Sequence, residues 1–195
     1  MPASATDVLT DYLAEVEVVL NGEPFLLHFT ACPAMACPGQ VLGSLHSRGV
    51  LTDLVRIYYD LAEAGEEGQD KLWFYQKQRL AADMGSARLE LREINAAAFR
   101  GVLSSLLDTV DRGALQLHSF YHQERTPEIS AQWADRVEAC LQSLHPSWRY
   151  YLVDPRQVEL RWDKDNFYFC GLGNDACIVV HGGEHFLVLL TSGTD

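Results

Sequence analysis

The residues best equipped for chemistry are five cysteines and seven histidines, and their spacing decides what they could do. Cys37 stands directly before Pro38-Gly39 and a short helical stretch from Gln40 to about His46. A thiol at a helix N-terminus is the usual setting for a lowered pKa, and a cysteine nucleophile also needs a base, for which His28 or His46 is at hand. That combination would make a small cysteine-dependent hydrolase or transferase. The competing reading is an inert thiol, because seven histidines always offer some Cys and His pair. Cys140 falls on a helical stripe and reads as core. His118 and His122 would share a helix face, with Glu124 nearby, as metal ligands do, but in a strand they stand roughly 13 Å apart and cannot share an ion. No Glu occupies the second position, so the zincin pattern is absent.

His181-Gly-Gly-Glu-His185 gathers two imidazoles and a carboxylate, with Cys170 and Cys177 in neighbouring strands. A two-residue Gly182-Gly183 turn would pair His181 with Glu184, which accounts for both as a charge pair without a metal. Asp154, Glu159 and Arg161 offer an acidic pair and a basic residue on a short hairpin, but the lysine that a metal-dependent nuclease places there is missing. Gly171-Leu-Gly173 lacks the third glycine and the helix of a dinucleotide loop, and Asp163-Lys-Asp-Asn166 lacks the Gly and Glu of a calcium loop. No catalytic residue, metal or cofactor is expected. What remains is a surface signal. Trp162 stands beside Asp163 and Asp165, Trp73 beside Glu66, Glu67 and Asp70, and Asp175 closes the link that begins at Gly171. Aromatic anchors ringed by negative charge suit the binding of a basic protein, unless both tryptophans point into the core.

These residues need a scaffold. Asp7 to Ala14 has helical spacing, and Glu15 to Phe29 then reads as a hairpin whose Asn21-Gly22 would form a type I′ turn. A helix follows Gly49, with Leu51, Leu54, Val55, Tyr58, Leu61 and Ala62 on one stripe until Gly65. Leu72 to Arg79 and Ala87 to Ile94 read as strands. Asn95 caps a helix whose stripe runs from Phe99 to Val110, and Leu115 to His122 fits strand and helix equally. Thr126 with Pro127 opens another helix that turns Ile129, Trp133, Val137, Cys140, Leu141 and Leu144 inward and closes at His145-Pro146. From Trp148 the period changes to short strands, Trp148 to Val153, Val158 to Trp162, Asn166 to Cys170, Ala176 to Val180 and His185 to Thr191, forming an antiparallel meander. With no linker and no repeat, residues 1–195 are expected to form a single α+β domain of helices packed on an antiparallel sheet.

Composition narrows the function further. The 195 residues carry 15 Lys and Arg against 27 Asp and Glu, a net charge of −12. The excess is even, since residues 1–100 hold 8 basic and 14 acidic side chains and residues 101–195 hold 7 and 13. Such a field repels phosphate backbones and anionic lipid, which excludes nucleic acid and membrane surfaces as partners and speeds encounter with a basic protein. No apolar run approaches the roughly 18 residues of a membrane span. The start Met1-Pro-Ala-Ser-Ala-Thr-Asp has no secretory character, and an odd set of cysteines without framework spacing agrees with a reducing compartment, so a cytoplasmic location is expected.

Small, acidic and α+β, and ending in strands such as Arg161-Trp-Asp-Lys-Asp-Asn-Phe-Tyr-Phe169 and His185-Phe-Leu-Val-Leu-Leu-Thr191, the chain resembles the bacterial toxin-immunity proteins in overall character. That resemblance carries no family motif and transfers no residue. It implies a cytosolic antidote that occludes a toxin in a tight stoichiometric complex, through charge and shape, with no chemistry of its own. Secretion chaperones share the acidic α+β profile, though they are usually shorter and dimeric.

Overall fold

The structure is a computed structural model that describes residues 5–20, 22–31, 37–64, 72–73, 87–108, 125–161, 163–164, 167–169 and 175–192. Its elements in chain order are α1 (Ala5–Leu20), β1 (Phe25–Thr30), α2 (Pro38–Ser47), α3 (Val50–Glu63), β2 (Leu72–Trp73), β3 (Leu91–Ile94), α4 (Ala96–Ser105), α5 (Pro127–Leu144), β4 (Arg149–Val153), β5 (Ala176–Gly182) and β6 (His185–Thr191). A short 3-10 turn, Pro155–Val158, follows β4.

The strands form one sheet in the order β2-β1-β6-β5-β4-β3. Five of them are mutually antiparallel, and β2 joins β1 in parallel at one edge. The C-terminal run is a meander, with Leu152 opposite Ile178 and Ile178 opposite Leu189. Strands β5 and β6 lie at the centre, where nearly every side chain is buried. Because side chains alternate across a strand, each central strand serves both faces. Phe25, Leu27, Phe29, Tyr151, Val179, Phe186, Val188 and Leu190 pack on one side against Val41, Leu42 and Leu45 of α2 and Leu51, Leu54 and Val55 of α3. Leu26, Tyr150, Ile178, Val180, Leu187 and Leu189 pack on the other against α1, α4 and α5. The result is an α+β fold in three layers, a mostly antiparallel sheet between two helical layers.

The helix ends follow local chemistry. Asn95 accepts a hydrogen bond from the Ala98 N–H at 2.8 Å, and Thr126 caps α5 through the Ile129 N–H with Pro127 in the first turn. On α2, Gly39 and Gly43 let the chain at residues 87–89 lie directly on the helix. A Cβ at Gly39 would stand 2.5 Å from the Leu89 carbonyl oxygen, and one at Gly43 would stand 2.8 Å from that of Ala87.

Several expectations are corrected. The Glu15 to Phe29 hairpin does not exist, because residues 15–20 continue α1. Val16, Val19 and Leu20 fall four and then three or four positions beyond Tyr12 and Leu13, so helix continuation buries all five on one face. Of the expected strands Val158 to Trp162 and Asn166 to Cys170, the described residues 158–161 and 167–169 form no strand of the sheet and meet at an isolated Arg161 to Phe167 bridge. Ile129 and Leu144 are exposed at the two ends of α5, beyond the reach of the layer beneath. The last hairpin turns one residue later than expected, with Gly182 opposite His185 and Gly183 in the left-handed region, so His181 faces Phe186 instead of Glu184. Most of Leu72 to Arg79, the Gly65 helix end, the stripe beyond Asp108 and Leu115 to His122 lie outside the described residues.

Candidate protein-docking site

Where the end of α1, the start of β1 and α3 meet, Glu17, Gly22, Glu23, Tyr59, Phe167, Tyr168 and Ser192 line an open cleft of about 250 Å³. Each wall has a local cause. Ending α1 at Leu20 brings Glu17 to its rim, and the turn at residues 22–24 then presents Glu23 before Phe25 enters the core. Phe25 meets Tyr58 edge-on at 4.6 Å and Tyr168 at 5.1 Å between ring centroids, which fixes the aromatic floor. The Tyr58 hydroxyl donates to Glu23 Oε2 at 2.9 Å. The Tyr168 hydroxyl lies against the carbonyl oxygens of Glu23 and, at 2.9 Å, of Leu190.

The electrostatics of this cleft are acidic. Burial first, and the Glu23 carboxylate second, push the Tyr59 phenol up to about 12. Burial also raises Tyr168 well above the ordinary tyrosine range, with Tyr59, Glu23 and Asp175 adding to it. Burial alone penalises a charge of either sign, so it is the Glu23 carboxylate's share of the shift that favours a cation here. Phe167 already holds a guanidinium, with the Arg161 Cζ 4.2 Å from its ring centroid. On the outer side of α3, Ile57 and Leu61 are exposed one turn apart, with Asp53, Asp60 and Glu63 on the same helix.

Of the residues expected to bind a partner, Asp163 is exposed and its carboxylate oxygen accepts from the Lys164 N–H, while Asp175 is half-buried at the start of β5. Trp73 lies in β2, the edge strand beside β1. Glu66, Glu67, Asp70, Trp162 and Asp165 lie outside the described residues. The sequence does not single out Glu17, Glu23 or Tyr59, because a hairpin over residues 15–29 leaves both glutamates on strands, whereas Tyr58 packs against the core as its helical stripe predicts.

The chemical alternatives come apart. Cys37 lies at the N-cap of α2 in a second open cleft of about 750 Å³, with Arg88, Glu90, Arg149 and Tyr151. Among the described residues, none that lines it is a histidine. His46 is nine residues along α2, roughly 13 Å away at 1.5 Å per residue. His28, between Leu27 and Phe29, projects to the opposite side of the sheet from α2. The Cys37 thiol therefore has neither base beside it. Cys177 is buried in the α2 side of the sheet, and burial raises its thiol far above the usual range, as burial also raises Cys140. Arg149 is committed to a two-point contact with Glu93 at 2.9 and 2.6 Å, and Arg156 likewise embraces Asp154. Arg161 approaches Glu159 at 3.9 Å. Asp154 is thus engaged in a local ion pair. Among the described residues no three or more His, Cys, Asp or Glu gather for a metal ion, and no helix is long and apolar enough to cross a membrane. No family model, no curated protein and no solved structure matches the chain.

Proposed function

We propose that this protein acts by binding, docking a basic protein partner at the acidic, aromatic-walled cleft in the manner of an immunity protein that covers its toxin. The observation that carries the reading is the convergence of Glu17 and Glu23 with Tyr59 and Phe167 around one open cleft. A lysine or arginine side chain entering it meets carboxylates at the rim and ring faces on the wall, the two features that recognise a cation. Exposed Ile57 and Leu61 on α3 offer an apolar contact beside acidic side chains, and the net charge of −12 favours fast encounter. On this reading the chain is a stoichiometric inhibitor of the cytoplasm that needs no cofactor and no active-site nucleophile.

The test is co-expression with a toxin-like protein encoded beside this one. Wild-type protein should relieve growth arrest and co-purify one to one with the toxin. Glu17→Lys/Glu23→Lys should lose rescue and weaken the complex at least a hundredfold, and Cys37→Ser should behave as wild type. Because Glu23 also holds Tyr58, thermal unfolding of the double variant is measured alongside, and Glu17→Lys alone serves where the double variant unfolds early. Full rescue by a folded Glu17→Lys/Glu23→Lys protein would sink the assignment of the cleft, and absence of any complex would sink the binding reading.

A further inference from the structure

Two imidazoles meet on the sheet at the opposite end from the acidic cleft, and neither the fold nor the docking reading uses them. His28 of β1 and His185 of β6 sit on adjacent antiparallel strands, with Thr30 opposite His185 and Leu187 opposite His28. Both project to the α1, α4 and α5 side, as their neighbours Leu26 and Leu187 do. Nε2 of His28 lies 3.0 Å from Nδ1 of His185, the ring centroids are 5.1 Å apart, and the planes are inclined by 35°.

At that separation one nitrogen donates a proton to the lone pair of the other. The same two nitrogens can take a different bridge. We propose that His28 and His185 form a two-imidazole site for a divalent transition-metal ion of the nickel and copper type. With metal to nitrogen bonds of about 2.0–2.1 Å, a 3.0 Å separation subtends an angle of about 94° at the ion. That angle suits two adjacent positions of a square-planar or octahedral ion, as Cu(II) and Ni(II) prefer. The remaining positions are filled by water, since no third His, Cys, Asp or Glu joins the pair among the described residues.

The protonation balance is closed. In the hydrogen-bonded pair one of the facing nitrogens carries the shared proton. On binding, that proton leaves the facing nitrogen, for the same ring's other nitrogen or for solvent, and both rings turn so that the two lone pairs converge on the ion. The pair also spans β1 and β6, so an ion held there clips two central strands together and stabilises the fold by mass action.

The experiment uses the full chain without a polyhistidine tag, with NiCl2 or CuCl2 as the probe. One Ni(II) per chain should bind in calorimetry and raise the unfolding temperature by a few degrees at tenfold excess over Kd. His28→Gln and His185→Gln should each weaken binding at least tenfold and lose that rise. His145→Gln/His181→Gln should change neither, since those rings face Ser147 and Gly183 at the neighbouring turn. The Cu(II) electron paramagnetic resonance spectrum of the unmodified protein should show coupling to two ring nitrogens, a readout that needs no variant to fold. Wild-type protein that takes up no ion, a spectrum with fewer than two nitrogens, or retention of affinity in folded His28→Gln would each overturn the assignment.

Discussion

Gly43 and Gly101 lie in helices of equal length but in opposite surroundings. An added methyl at Gly43 would stand 2.8 Å from the Ala87 carbonyl oxygen and 2.9 Å from the Arg88 Cα, both backbone atoms that move only with the chain. At Gly101 it would meet nothing within 4 Å. Gly43→Ala is therefore expected to destabilise the protein by roughly 1–3 kcal/mol, because the chain at 87–89 must lift off α2. Gly101→Ala should stabilise it by about 0.5–1 kcal/mol through helix propensity alone. Urea unfolding of the two variants checks both signs. The histidines give a pH prediction at the same scale. Burial is the leading cause that lowers the pKa of His28, His46 and His181. The unfolded chain takes up protons near pH 6.5 and the folded chain only at lower pH, so between those values the unfolded state holds more protons. Stability is therefore full above about pH 6.5 and is lost as pH falls from there through the folded pKa values. Urea midpoints measured in EDTA at pH 7.5, 6.5 and 5.5 should decline in that order, and His28→Gln should make the decline shallower.

At the scale of elements, what the sequence disclosed depended on whether one period or two fitted the same residues. Thr126-Pro127 and Asn95 announced α5 and α4 because their side chains act on the nearest turn, and both caps are formed. The meander of β4, β5 and β6 is legible from alternating apolar residues and the nearby glycine pair, although the turn falls one residue later than Gly182-Gly183 implies. Glu15-Val-Glu-Val-Val-Leu20 alternates like a strand and also continues the helical stripe of Tyr12 and Leu13. Burial beneath the sheet decided for the helix, and that is a long-range fact. The acidic cleft was hidden for the same reason, since Glu23, Tyr59 and Phe167 come from three separate parts of the chain. Long-range pairing also ties the helices to each other. Arg100 of α4 reaches Glu138 of α5 at 2.7 Å, and Gln142 supports the same carboxyl at 3.2 Å. Glu138 is only 5% exposed. Arg100→Met should leave a buried carboxylate without its cation and cost roughly 1–3 kcal/mol. Arg56→Met, which gives up an ion pair with exposed Asp53 at 3.5 Å, should cost less than about 0.5 kcal/mol. A Tm difference between the two variants tests whether the α4 and α5 contact is held by charge as well as by Phe99 and Val137.

For the molecule as a whole, two electrostatic effects of opposite sign respond to salt. Exposed ion pairs such as Arg149 with Glu93 and Arg156 with Asp154 lose strength as salt rises, but pairs of that kind contribute only about 0–1 kcal/mol each. Against them stands the repulsion among carboxylates in a chain of net charge −12, which compaction intensifies and salt relieves. Raising NaCl from about 10 mM to about 150 mM shortens the screening length from roughly 30 Å to roughly 8 Å, comparable with the spacing of neighbouring surface charges. Relief of repulsion should exceed the loss of ion pairs, because 27 acidic residues share only 15 basic ones. The unfolding temperature is therefore expected to rise over that interval. Under the binding proposal, association with a basic partner depends on the same field acting across a gap, so its rate should fall over the same interval while the dissociation rate changes little. Measuring unfolding and association in one salt series separates the two roles of the charge. A melting temperature that falls with added salt would mean that the ion pairs, and not the acid excess, set the stability of this fold.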